Sequence, residues 1–89
     1  MSYGAVSVGV AATLIISANT RRRSITIVND SSGTIYTGPD SSITTVNGTP
    51  LYGRQARTDG RIPEGYQGDI YGIIGAGTAD VRYWEVESQ

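Results

Sequence analysis

Few residues in this chain have the type and spacing to do chemistry, and three acids come first. Asp59, Glu64 and Asp69 lie in or beside one segment, Thr58 to Gly68, that carries Gly60, Pro63, Gly65 and Gly68. Two carboxylates facing each other across a glycosidic bond are the minimum for sugar hydrolysis. The same oxygens would suit Ca²⁺, although their spacing is not that of an EF-hand. A chain of 89 residues leaves little room for a substrate cleft, so these acids read as solvated loop and turn residues. The other routes to catalysis lack their side chains. There is no His and no Cys, and all seven cationic residues are Arg. Without His or Lys the common bases that activate a hydroxyl are missing, and without Cys there is no thiolate nucleophile. A structural zinc site of His and Cys is excluded on the same ground. Gly72-Ile73-Ile74-Gly75-Ala76-Gly77 matches neither the dinucleotide fingerprint nor the P-loop. The expectation is a protein with no enzymatic activity, no cofactor and no metal.

What remains are groups suited to contact. Arg21, Arg22 and Arg23 are adjacent, and on a strand they would point alternately to opposite faces, so they do not form one patch. They read as an exposed strand entrance or as a contact to an acidic protein surface. A net charge of −1 is not that of a nucleic-acid binder. Arginine in place of lysine favours planar, weakly hydrated interface contacts. Six tyrosines and Trp84, in a chain without Phe, must supply both core bulk and interface. The candidate interface is therefore Arg21, Arg22, Arg23, Tyr36, Tyr66, Tyr71 and Trp84. Trp84 is expected to be largely buried, in the core or at a subunit contact, with Tyr66 and Tyr71 near the loop face.

The elements that position these groups are short and β-rich. Ala5 to Val10, Ala12 to Ser17, Ser24 to Asn29, Thr34 to Gly38, Ser42 to Val46, Asp69 to Ile74 and Thr78 to Glu87 have the composition or alternation of strands. Leu51 to Arg57 is ambiguous. Asp30-Ser31-Ser32-Gly33 reads as a turn that joins Ser24–Asn29 to Thr34–Gly38 as a hairpin. Asn47-Gly48 reads as a second hairpin turn, and Gly75-Ala76-Gly77 as a third. Asn29-Asp30-Ser31 and Asn47-Gly48-Thr49 match the glycosylation pattern but read as turn residues. The spacing predicts one all-β domain over residues 1–89, an antiparallel β-sandwich or jelly-roll-like barrel of seven or eight short strands, with the first and last strands paired.

Several strands carry apolar residues on both faces. Val28 opposes Ile25 and Ile27, Ile74 opposes Ile73, and Trp84 and Val86 oppose Val81 and Tyr83. Either a bulge re-aims these side chains or another subunit covers the outer face. Only 38% of the chain is hydrophobic, a thin core for a small domain without disulfides or metal, which favours a homo-oligomer. The apolar stretch Val6 to Ser17 has no basic segment before it and three arginines after it, so neither an export signal nor a membrane anchor is expected.

Two stretches carry a resemblance. One runs from Gly65-Tyr66-Gln67-Gly68-Asp69-Ile70-Tyr71-Gly72-Ile73 to Gly77-Thr78-Ala79-Asp80-Val81-Arg82. The other runs from Thr13-Leu14-Ile15-Ile16-Ser17-Ala18-Asn19 through Arg22-Arg23-Ser24-Ile25 to Asn29–Tyr36. Both resemble small β-rich structural proteins of tailed bacteriophages: capsid decoration proteins, head fibres and tail-associated modules. The resemblance implies a virion protein that binds the major capsid protein on the outer face of the head, often as a trimer. The alternative is a tail or fibre module that binds host glycan through exposed Tyr and Trp. No catalytic motif comes with the resemblance, and no nucleic acid, membrane or small-molecule partner is expected.

Overall fold

The computed structural model describes residues 2–57 and 66–87. They form eight strands: β1 (Ser2–Val8), β2 (Thr13–Ile16), β3 (Arg22–Asn29), β4 (Ile35–Gly38), β5 (Thr49–Leu51), β6 (Gln55–Arg57), β7 (Ile70–Ile74) and β8 (Ala79–Glu87). No helix occurs among the described residues. The strands build two four-stranded antiparallel sheets, β1-β8-β3-β6 and β2-β7-β4-β5. The fold is a small β-sandwich. Ile25 and Ile27 from β3, Val81 from β8, Ile35 from β4 and Leu51 from β5 fill the space between the sheets, all essentially without solvent contact. The first and last strands pair as expected, from Ser2 opposite Glu85 to Val8 opposite Ala79.

Three expected hairpin turns take another form. β3 and β4 do not pair, because β3 is flanked on both sides by β8 and β6. Residues 30–34 instead arch from one sheet to the other. Buried Asn29 holds that arch: its side-chain amide donates to the carbonyls of Gly33 at 2.8 Å and Leu51 at 2.9 Å, and its side-chain oxygen accepts from the Ser31 hydroxyl at 2.6 Å. Gly75-Ala76-Gly77 likewise links β7 in the second sheet to β8 in the first, with Gly77 at φ 73°. Among the described strands, only the consecutive pair β4 and β5 lies in one sheet.

The β4–β5 pair is a hairpin, but Asn47-Gly48 is not its two-residue turn. The loop spans residues 39–48. The expected strand Ser42 to Val46 lies within it as a series of turns. Asp40 accepts from the backbone and hydroxyl of Ser42, and Asn47 accepts from the Thr44 backbone N–H at 2.7 Å. Short polar side chains compete with a ladder for the backbone in this way. Ile43 turns inward and is buried. Its methyl group stands 2.0 Å from where a Cβ on Gly38 would sit, so only glycine fits there. The ambiguous segment Leu51 to Arg57 holds the end of β5 and all of β6. Its tight turn brings Gly53 against Ser31, with a Cβ there 2.5 Å from the Ser31 carbonyl oxygen.

Replacing Asn29 by Ala leaves two buried carbonyls without their donor. Asn29→Ala is expected to cost about 2–3 kcal/mol, read from urea unfolding. Asn29→Asp, which keeps the shape but loses the donor, is expected to cost at least as much.

Candidate binding face

The residues singled out as candidate contacts do not converge on one site. Arg22 lies inside the molecule, 4% exposed, and is removed from the list of surface contacts. A bulge between Arg22 and Ser24 interrupts the pairing of β3 with β8. It shifts the alternation so that Arg22 faces inward with Ile25, Ile27 and Asn29. Its Nε donates to Glu85 Oε2 at 2.7 Å, and both groups are buried. Its two terminal nitrogens reach three carbonyls: Tyr66 at 3.3 Å, Gly68 at 3.0 Å and Ser17 at 2.9 Å. The second carboxylate oxygen of Glu85 accepts from the Asn19 amide at 3.2 Å. Arg21 and Arg23 are exposed. The three arginines thus diverge, as expected of neighbours on a strand.

Tyr66 packs partly buried against the core, and its hydroxyl donates to the Asp69 carbonyl. Burial first, and then the Asp69 charge, push its phenol above the ordinary tyrosine range. Asp69 is itself structural, since its carboxylate accepts from the Ala18 N–H at 2.6 Å. Asp59 and Glu64 lie outside the described residues. Among the described residues no group of three or more potential metal-ligating side chains is assembled.

Tyr36 and Tyr71 are half-buried on the outer face of the second sheet. Tyr71 stands opposite Leu14, and Tyr36 lies between Ile73 and Pro50. No charged residue stands in these rows. Trp84 points out from the opposite side of the sandwich.

Trp84 is 57% exposed, so it is not a core residue, and of its two expected places only the contact surface is left. The cause is the unbroken alternation of β8: Ala79, Val81 and Glu85 are buried and Tyr83 is half-buried, while Arg82 and Trp84 face solvent. No bulge interrupts β8 at Trp84 and Val86; its outward row is mixed, with Asp80 and Arg82 followed by Trp84 and Val86. Directly across from Trp84 stands Tyr3, 81% exposed. On its other side stands Thr26. The neighbouring row is Ala5, Arg82, Val28 and Ala56. Arg82 is fixed beside the aromatic pair by Asp80 at 3.0 Å and Asp30 at 3.9 Å. The Asp80 carboxylate, as hydrogen-bond acceptor and as charge, holds the guanidinium still more firmly in its charged form. Tyr3 was not among the candidates. Its place follows from the alternation of β1 together with the pairing of β1 and β8, and the register is not visible in either strand alone.

The outer face of the first sheet therefore carries an exposed Trp–Tyr pair, a hydroxyl in the same row and an anchored arginine in the next. It can stack on and hydrogen-bond to a partner. Comparison with protein-family models, with described proteins and with solved structures finds no match.

Arg22→Ala is expected to destabilise the domain by about 3–5 kcal/mol, because it strands the buried Glu85 charge. Arg22→Lys is expected to recover little, since one ammonium cannot serve a carboxylate and three carbonyls in a planar fork. Denaturant unfolding measures both. Because the folded state raises the Tyr66 pKa, its contribution is present below the ordinary tyrosine range and is lost as pH rises through the raised value. Spectrophotometric titration is expected to show a late-ionising component that Tyr66→Phe removes.

Proposed function

We propose that this chain is a non-enzymatic virion structural protein of the capsid-decoration type, docking on a shell of major capsid protein through the Tyr3–Trp84 face. The observation that carries the proposal is that face. Tyr3 and Trp84 are 81% and 57% exposed and stand side by side on two regularly paired strands. Trp, Tyr and Arg are the residues that dominate binding energy in protein interfaces. Strands hold them in place before the partner arrives, which lowers the ordering cost of association. The strand order, β1-β8-β3-β6 against β2-β7-β4-β5, supports a jelly roll, an architecture of viral capsid and lectin domains. That support is analogy at the level of fold.

In this proposal each face binds modestly, and repetition over a symmetric shell multiplies the affinity. Arg82 already has acidic neighbours in its own chain, and the net charge is −1. Attachment then rests on packed, partly desolvated contacts that salt screens poorly. A second reading, glycan recognition by a tail or fibre module, is favoured by one detail. The aromatic pair is followed in the same row by Thr26, an arrangement suited to stacking on a sugar face and bonding to its hydroxyls.

Particles that carry the chain are expected to hold it at high copy number on the head. Purified protein is expected to rebind undecorated shells at raised ionic strength. Trp84→Ala and Tyr3→Ala are expected to leave stability within about 1 kcal/mol, as for surface positions, and to abolish that rebinding. Failure to bind shells at any salt removes the decoration proposal. Binding to a glycan array that is lost in Trp84→Ala selects the second reading.

A further inference from the structure

A sandwich of this kind has four edges, and three of them are blunted. β2 has four residues and a bulge between Leu14 and Ile16. β5 has three residues with Pro50 at its centre, and β6 has three. Short strands, prolines, bulges and charges are the devices by which proteins keep sheet edges from pairing with other chains. β1 has none of these. It has seven residues, Ser-Tyr-Gly-Ala-Val-Ser-Val, without charge or proline. Its register with β8 runs without interruption from Ser2 to Val8, and among the described residues it has a neighbouring strand on one side only.

We propose that this edge pairs with β1 of a second copy, joining the two first sheets into one eight-stranded sheet about a two-fold axis at Ala5. An antiparallel strand pair related by an axis normal to the sheet sets residue i opposite its counterpart with i + j constant, and full overlap of Ser2–Val8 centres it on Ala5. Tyr3 then stands opposite the second copy's Ser7, Gly4 opposite Val6, and Ala5 opposite Ala5. No charge meets a like charge across the seam. The exposed Tyr3 ring gains a neighbour on its open side. Gly4 is accommodated as well, since the Tyr83 ring already lies where its side chain would be, with the hydroxyl 2.9 Å from a Cβ position. The closest like charges in the same row, the two Arg82 side chains, are separated by three strand spacings, about 14 Å. That exceeds the screening length of about 8 Å at physiological salt. Closed two-fold pairing of identical surfaces is also the commonest form of self-association. It differs from the three-fold assembly implied by the sequence resemblance, and it places two Tyr3–Trp84 pairs on one continuous face.

The test is analytical ultracentrifugation of the whole chain over a concentration series, with Ala5→Lys and Ala5→Glu as variants. Ala5 is exposed, so both variants are expected to keep the wild-type circular dichroism and melting temperature. Wild type is expected to be a dimer. Ala5→Lys sets two ammonium groups opposite each other between the two Arg82 side chains, and the dimer is expected to be lost at concentrations where wild type is fully paired. An equimolar mixture of Ala5→Lys and Ala5→Glu is expected to regain it. A wild-type monomer up to the solubility limit, a trimer, or a folded Ala5→Lys variant that stays dimeric would each overturn the proposal. So would a wild-type monomer that captures only foreign extended peptides along β1.

Discussion

The sandwich is closed at one end by a charge that has nowhere else to go. Arg22 and Glu85 lie between the sheets, where removing two ions from water costs several kcal/mol each. That cost is offset where the groups are well bonded, and here four of the five guanidinium N–H groups and both carboxylate oxygens have partners. Glu85 is engaged at both oxygens, by Arg22 and by Asn19. The guanidinium spends three further donors on the carbonyls of Ser17, Tyr66 and Gly68. The loop after β2 and the segment before β7 are thereby tied to the two central strands of the first sheet. The Asn19 N–H to Gln67 carbonyl bond, 2.8 Å long, closes the same ring.

A second polar group does the same at the opposite end of β3. Asn29 binds the arch from β3 to β4 and the end of β5, and its own carbonyl accepts from the Arg54 N–H at 2.6 Å. Arg54 takes a φ of 56° to make that bond. Between these two locks, Ile25 and Ile27 contribute the apolar packing. β3 is thus polar at its inward-facing ends and aliphatic in its middle. This is how a chain with neither disulfides nor zinc ligands specifies one sandwich. The same rigidity reaches the outer face, where Thr26 and Val28 of β3 stand beside Trp84 and Arg82 of β8.

The all-β class and most strand positions were legible in the sequence, because alternation and turn residues report directly on local backbone, although Ser42 to Val46 forms turns and the ambiguous Leu51 to Arg57 holds β6. The pairing of β1 with β8 followed from the closeness of termini in small sandwiches. What lay beyond reach was non-local. The segments around Asp30–Gly33 and Gly75–Gly77 have the composition of hairpin turns, and composition does not distinguish a turn within one sheet from an arch between two. The bulge after Arg22 reversed the direction of one side chain and moved it from the candidate surface to the interior. A shift of one residue exchanges the two faces of a strand, and nothing in Arg21-Arg22-Arg23 marks which arginine a distant Glu85 will bind. The core placement offered for Trp84 fails for a simpler reason. Bulk suggested burial, whereas the phase of β8, fixed by Ala79 and Val81, turned it to solvent.

The scarcity of connections within a sheet has a kinetic consequence. β1 meets β8 at long range, Ser2 opposite Glu85, and β2 meets β7 at a shorter but still long range, Thr13 opposite Gly72. Among the described strands, β4–β5 is the one consecutive pair that can form by local closure, and its loop runs through residues 39–48. Loop-closure entropy must be met before most of the ladder can form, so folding belongs to the slow, millisecond-to-second regime of non-local β topologies. During that interval β1 is an unpaired, uncharged strand waiting for β8. Where molecules are crowded, β1 must reach β8 before it meets the edge of a neighbour.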